Sequence, residues 1–191
     1  MRITGGEFCG RTLLVPKSDA IRPTQDRVRE SLFSILQPEL SAAVFLDLFA
    51  GSGAVGLEAL SRGAAHATFV EASRNHAAVL SRNLEAMKVG ARGEVVVANA
   101  YRWIETYVGK GYTIVFADPP YALGEERGYA AVLATLAARN VVRPDGLFIA
   151  EMTAVQKAEE TPGWDLLRDR TYGKTRICIW RRLDETKKEE S

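Results

Sequence analysis

The sequence predicts an α/β fold, a mostly parallel sheet wound with helices, and three observations carry that prediction. From Val44 onward, apolar runs of strand length alternate with helical patterns. Such alternation implies right-handed crossovers and a parallel sheet. The runs are nearly continuous, VFLDLF (44–49) above all, as strands covered on both faces are. Near the end, WDLLRDRTYG and TRICIWRR read as two strands with a short polar link, a hairpin that adds one antiparallel strand.

The elements follow in order. Residues 1–20 hold two short β-like runs, Arg2–Thr4 and Thr12–Val15, around the turn-rich GGEFCG, so a small N-terminal β-hairpin is expected. In 25-QDRVRESLFSIL-36, Val28, Leu32, Ile35 and Leu36 recur at helical spacing, and Val28, Leu32 and Ile35 are assigned to the core. Thr24 is the expected N-cap, Asp26 suits the positive helix start, and Pro38 is expected to end the run. A helix over 54–62 stops at Gly63; ATFVEA (67–72) is the second strand; RNHAAVLSRNLEAMKVG (74–90) is a helix closed by glycine. EVVVANA (94–100) is the third strand, YRWIETYV a short helix, and YTIVFADPPY (112–121) a fourth strand running into a proline pair. An alanine-rich helix covers 127–140, and after Pro144-Asp145-Gly146 comes a fifth strand, GLFIAEM (146–152). The expected organisation is an extension over 1–20, one α/β domain over 21–183, and a charged, disordered tail over 184–191.

Composition narrows the function. With 191 residues and 47% hydrophobic content the chain can bury a substantial core, and a net charge of +1 means that any nucleic-acid partner must be held by local basic patches. Cys9 and Cys178 lie far apart without metal-ligand spacing, which argues against a disulfide framework, predicts no metal site and fits a reducing cytoplasm. The polar N-terminus lacks the apolar stretch of a signal peptide, and no apolar run approaches the ~18 residues of a membrane span, so a cytoplasmic location without membrane attachment is expected.

The stretch 47-DLFAGSGAVGLEAL-60 contains GSGAVG, a literal G-x-G-x-x-G. It sits at the end of the first strand, where an open α/β sheet binds ligands. Glycines let the backbone approach a ligand, and the following helix start offers N–H groups. Glu71 falls at the end of the second strand, 20 residues after Gly51, where a carboxylate can accept both hydroxyls of a ribose. This set serves NAD and S-adenosylmethionine alike. Asp47 favours the second: a carboxylate repels a pyrophosphate but suits a cationic amino-acid group. Gly56 fits a helix–sheet packing point better than a ligand contact.

The fourth strand ends 115-VFADPPYA-122. Pro119 drives Asp118 into extended backbone, and Pro120 fixes its own φ. The outcome is a rigid set of acceptors, the Asp118 carboxylate and the Pro119 carbonyl, with Tyr121 as a flat face behind them. Methylation of an exocyclic aromatic amine needs this array. The amine lone pair is delocalised into the ring; accepting both N–H groups orients the nitrogen and turns the lone pair toward a sulfonium methyl. Hydride transfer has no use for it, and no catalytic acid/base pair stands near the strand ends for an NAD-dependent oxidoreductase.

These motifs resemble the class I S-adenosylmethionine-dependent amino-methyltransferases, whose Rossmann-like sheet the chain is expected to share. With 22-RPTQDRVRESLFSIL-36, 5-GGEFCGRTLLVP-16 and 172-YGKTRICIW-180, the chain resembles the RsmD family over nearly its whole length. The resemblance implies methylation of the exocyclic N2 of one guanine in 16S ribosomal RNA, within an assembling 30S subunit, by a monomer; adenine-N6 methylation of DNA or RNA is the alternative. It implies that Asp118, Pro119, Pro120 and Tyr121 hold the amine and base. Asp47, Phe49, Gly51 and Gly53 contact the methionine side of the cofactor, Glu71 holds the ribose, Asn99 and Ala100 flank the adenine, and Pro23 and Thr24 form part of the wall. Relatives usually carry aspartate where this chain has Asn99.

Basic residues cluster in 1–35 and in 164–183. Arg11, Arg22, Arg27, Lys174 and Arg176 are the RNA-binding candidates, with Arg29 and Arg182 in the same segments. His66 and His76 read as surface or satisfied residues, and Trp103, Trp164 and Trp180 as core.

Overall fold

A computed structural model describes residues 1–16, 23–119 and 128–184, with the side chains of 23–25 left aside. Its strands fall into two runs of neighbours, Gly93–Val97, His66–Glu71 and Val44–Leu48 in that order, and Tyr112–Ala117, Val142–Thr153, Thr175–Arg182 and Trp164–Tyr172 in that order. The chain divides into two compact units, Met1–Ala100 and Tyr101–Ser191.

In the first unit, α1 (Pro23–Leu40) precedes β1 (Val44–Leu48), α2 (Ala54–Ser61), β2 (His66–Glu71), α3 (Arg74–Ala86) and β3 (Gly93–Val97). The strands pair in parallel, Asp47 level with Phe69 and Glu71 level with Val97. Phe45, Leu46, Phe69, Val70, Leu57 and Leu80 are buried, and this two-sided burial is what the continuous apolar runs encode.

Several local expectations are corrected. The helix starts at Pro23, so Thr24 lies inside it rather than capping it. It also runs through Pro38 to Leu40. Pro38 forfeits one helical hydrogen bond, but burial of Leu36 and of Leu40, the latter with no exposure at all, holds the last turn in place. Ile35 is 36% exposed, and Phe33 takes the core position instead. The 74–90 helix ends before its glycine: Lys88 takes the left-handed conformation (φ 55°), and Gly90 opens a short 3-10 turn. The N-terminal hairpin carries a single antiparallel bridge, Arg2 with Thr12, flanked by Ile3 N–H donating to Arg11 O and Leu13 N–H to Met1 O, and the segment between its arms bonds to α2. Glu7 N–H donates to Ser61 O, Phe8 N–H to Ser61 Oγ, and Thr4 N–H to the Glu58 carboxylate.

In the second unit, the short α4 (Ala100–Glu105) leads into β4 (Tyr112–Ala117), α5 (Tyr129–Ala138), β5 (Val142–Thr153), β6 (Trp164–Tyr172) and β7 (Thr175–Arg182). The pair β4 and β5 is parallel; β7 runs antiparallel to both β5 and β6. The C-terminal hairpin therefore contributes one antiparallel strand, as expected. Strand β5 begins before the Pro-Asp-Gly segment, which forms an irregularity inside it with Asp145 at φ 61°. Trp164 and Trp180 are buried, Trp180 stacked against both Tyr129 and Phe148; Trp103 is half-buried against Tyr107 and Tyr112. The charged tail from 185 onward lies outside the described residues, and no described helix is long and apolar enough to cross a membrane.

Candidate active site

The first unit builds a rigid turn between β1 and α2. Phe49 (φ 63°), Gly51 (φ 54°) and Gly53 (φ 79°) all take positive φ, so the chain reverses within a few residues of the strand end. The glycines have different reasons to be glycine. A Cβ at Gly53 would lie 2.1 Å from Leu80 Cδ1, and one at Gly56 would lie 2.3 Å from the Phe69 ring. At Gly51 it would meet nothing within 4 Å. Gly53 and Gly56 thus let α2 close onto the sheet and α3, while Gly51 fronts open space where a ligand can reach the backbone. The expected packing role of Gly56 is what the geometry displays.

Both acids of the turn are engaged with backbone. Asp47 is 2% exposed and accepts from Gly56 N–H at 2.9 Å. Its charge thereby stabilises the start of α2 from behind the turn, a role that the sequence did not reveal. Glu71 accepts from Gly51 N–H at 2.8 Å and from Ser73 N–H at 2.7 Å, one bond to each oxygen. A carboxylate oxygen has two lone-pair sites, so each retains one for a hydroxyl donor. His76 Nδ1 stands 3.9 Å from the same carboxylate. Asn83, buried on α3, donates to Ser52 O and to Leu14 O and accepts from Leu14 N–H, tying the turn to the N-terminal arm. Asn99 is exposed beyond the end of β3, and Ala100 is buried at the start of α4. Pro23 opens α1.

In the second unit Asp118 and Pro119 follow directly on β4; Pro120 and Tyr121 lie outside the described residues. Burial pushes the Asp118 carboxyl up to about 6. Sequence reasoning missed its neighbour. Ala117 is level with Ala150, so the next step along the two parallel strands sets Glu151 beside Asp118. Burial, and then the charge of Asp118, push the Glu151 carboxyl up to about 8. The Tyr129 hydroxyl donates to Glu151 O at 3.2 Å. A lone acid in the apolar run GLFIAEM was the available signal.

The basic candidates divide. Arg11, Arg27 and Lys174 are exposed, and Arg22 lies outside the described residues. Arg176 is committed to Asp169, with Nε donating to Oδ1 at 2.7 Å. Arg29 is withdrawn from the basic patch: it is 5% exposed and paired with Glu58. Arg182 donates to Asn140 Oδ1 at 2.8 Å. Among the described residues no group of acids, histidines and cysteines could hold a metal ion.

The sheet order, the glycine turn after β1 and the acid closing β2 define a class I methyltransferase fold, shared with the solved structure of the Escherichia coli protein yhhF at TM-score 0.84 and 38% identity, over 96% of this chain and 98% of that one. The chain belongs, more narrowly, to the RsmD family: the family model described as "Conserved hypothetical protein 95" matches residues 1–181. It is 40% identical over 184 residues to Ribosomal RNA small subunit methyltransferase D of Escherichia coli K12, covering 95% of this chain and 90% of that protein. The protein of the same name from Haemophilus influenzae is 36% identical over 178 residues, 91% of this chain and 89% of the relative.

Proposed function

We propose that this protein transfers a methyl group from S-adenosylmethionine to the exocyclic N2 of one guanine in 16S ribosomal RNA, within an assembling 30S subunit. The observation that carries the reading is Asp118: a partly buried carboxyl fixed at a strand end by Pro119, in a chain similar along its length to named small-subunit RNA methyltransferases.

When bound, S-adenosylmethionine supplies a methyl group activated by its sulfonium. Gly51 gives the cofactor access to the backbone of the turn, and Glu71, pre-oriented by two backbone N–H groups, accepts from the ribose hydroxyls. Asp47 sets the turn by holding α2, and Asn99 and Ala100 flank the adenine. The Asp118 carboxylate and the Pro119 carbonyl accept from the amine N–H groups and orient its lone pair, and Tyr121 stacks on the base. Positioning and charge complementarity supply most of the acceleration. Arg11, Arg27 and Lys174, all exposed, contact RNA phosphates, and the target base leaves its stack to reach the site.

The test is tritiated methyl transfer onto unmethylated 16S RNA, free and in 30S subunits, with the modified atom mapped. Asp118→Ala should abolish transfer and leave cofactor affinity within a few-fold. Label on adenine N6 would instead support the alternative base, and calorimetric binding of NAD without S-adenosylmethionine would sink the reading altogether.

A further inference from the structure

Glu151 is a half-buried acid that the proposed mechanism leaves unused. It stands level with Asp118 on the adjoining parallel strand, one step past the paired Ala117 and Ala150. Neighbouring strands are about 4.8 Å apart, and side chains at one level point to the same face, so the two carboxyls share one patch. Tyr129 from α5 packs against this patch, its phenol under the charges of Asp118 and Glu151 and of Tyr101 and Cys178, while Cys178, opposite Ala150, stands one level away from the pair. The Tyr129 phenol is held well above its ordinary value, first by burial, and the Cys178 thiol is pushed up to about 12 by burial, so both keep their protons. Among the described residues no cation acts on either carboxyl. Two adjacent carboxylates without a cation repel, and the repulsion is relieved when one of them takes up a proton.

We propose that Glu151 is a positioning residue of the methyl-transfer site, its protonated carboxyl donating an O–H hydrogen bond to the Asp118 carboxylate and so fixing the direction in which Asp118 accepts from the amine. The inference rests on the function proposed above. The assignment of the proton follows from the surroundings. Asp118 ionises first, near 6, and Glu151 retains its proton to about 8. Between those values the pair carries one proton, on Glu151. An ionised acceptor backed by an O–H donor is the state that both grips an amine and keeps a single orientation. Above about 8 both carboxyls are charged and repel, and the O–H donor that holds Asp118 is lost.

The experiment is single-turnover methyl transfer to unmethylated 16S RNA and 30S subunits between pH 5.5 and 9, with cofactor affinity measured in parallel. Wild type should rise through about 6 and fall through about 8. Glu151→Gln keeps a donor that cannot ionise, so it should retain near-wild-type transfer at pH 7 and lose the alkaline fall. Glu151→Leu removes the donor and should slow transfer on the order of tenfold or more at unchanged cofactor affinity. Should Glu151→Leu not fold, the isosteric Glu151→Gln profile decides alone. An alkaline limb unchanged in Glu151→Gln, or a Glu151→Leu protein as fast as wild type, overturns the inference. If wild type methylates no RNA, or Asp118→Ala remains active, it is the proposed function that fails.

Discussion

Glu58 has no solvent exposure, and four donors surround its carboxylate. Thr4 donates through N–H and Oγ1, Arg29 through Nε at 3.3 Å and Arg62 through Nε at 2.8 Å. Removing one side of a buried ion pair leaves the other charge uncompensated, at about 3–5 kcal/mol. Glu58→Ala should therefore lower unfolding free energy by about that amount in a denaturant titration, and free the N-terminal arm to proteolysis. The Asp118 and Glu151 carboxyls act on stability with the opposite pH sign to an ordinary ion-paired acid. Both bind their proton more tightly folded than unfolded, so their favourable contribution is full below about 4 and is lost as pH rises toward 6 and 8. Glu151→Gln should melt above wild type at pH 8.5, with the gap closing at pH 4; a gap constant with pH would refute this account.

At the scale of elements, the turn between β1 and α2 shows how identical residues serve different ends. Gly56→Ala drives a methyl into the Phe69 ring and should cost about 1–3 kcal/mol of stability, while the folded fraction binds cofactor normally. Gly51→Ala meets no neighbour, so its cost is the left-handed strain alone, about 1–2 kcal/mol, but its methyl enters the space that a ligand would use. Calorimetry with S-adenosylmethionine should show affinity lost in Gly51→Ala and kept in Gly56→Ala. The spacing G-x-G-x-x-G announced a strand–turn–helix, and the helix-packing duty of its last glycine was legible there. The duty of Asp47 was not, because the Gly56 N–H it accepts from is defined only once α2 has formed.

Over the whole molecule, a net charge of +1 confines RNA attraction to local groups. Exposed Lys174 and Arg27 are suited to phosphate contact; Arg176 is not, being held by Asp169. Lys174→Ala or Arg27→Ala should each reduce the slope of log affinity against log salt by about one, uniformly across RNA sequences. Arg176→Ala should leave that slope unchanged and destabilise the β6–β7 hairpin, read out by faster amide exchange in Trp164–Arg182. Counting basic residues along the chain could not separate these classes, since Asp169 and Arg176 meet only when the hairpin folds.

The sequence by itself determined the order of strands and helices, the turn chemistry after β1, and the acids at the ends of β2 and β4. Each is written in local periodicity, in glycine and proline, or in a short motif, which depend on neighbours along the chain. Tertiary structure alone decided that α1 runs through Pro38, that Ile35 faces outward, that Arg29 is buried against Glu58, and that Glu151 stands beside Asp118. Those outcomes depend on strand register and on burial between elements distant in sequence. The charge state and partner of a side chain follow from what it meets across the fold, and no spacing along one chain encodes that encounter.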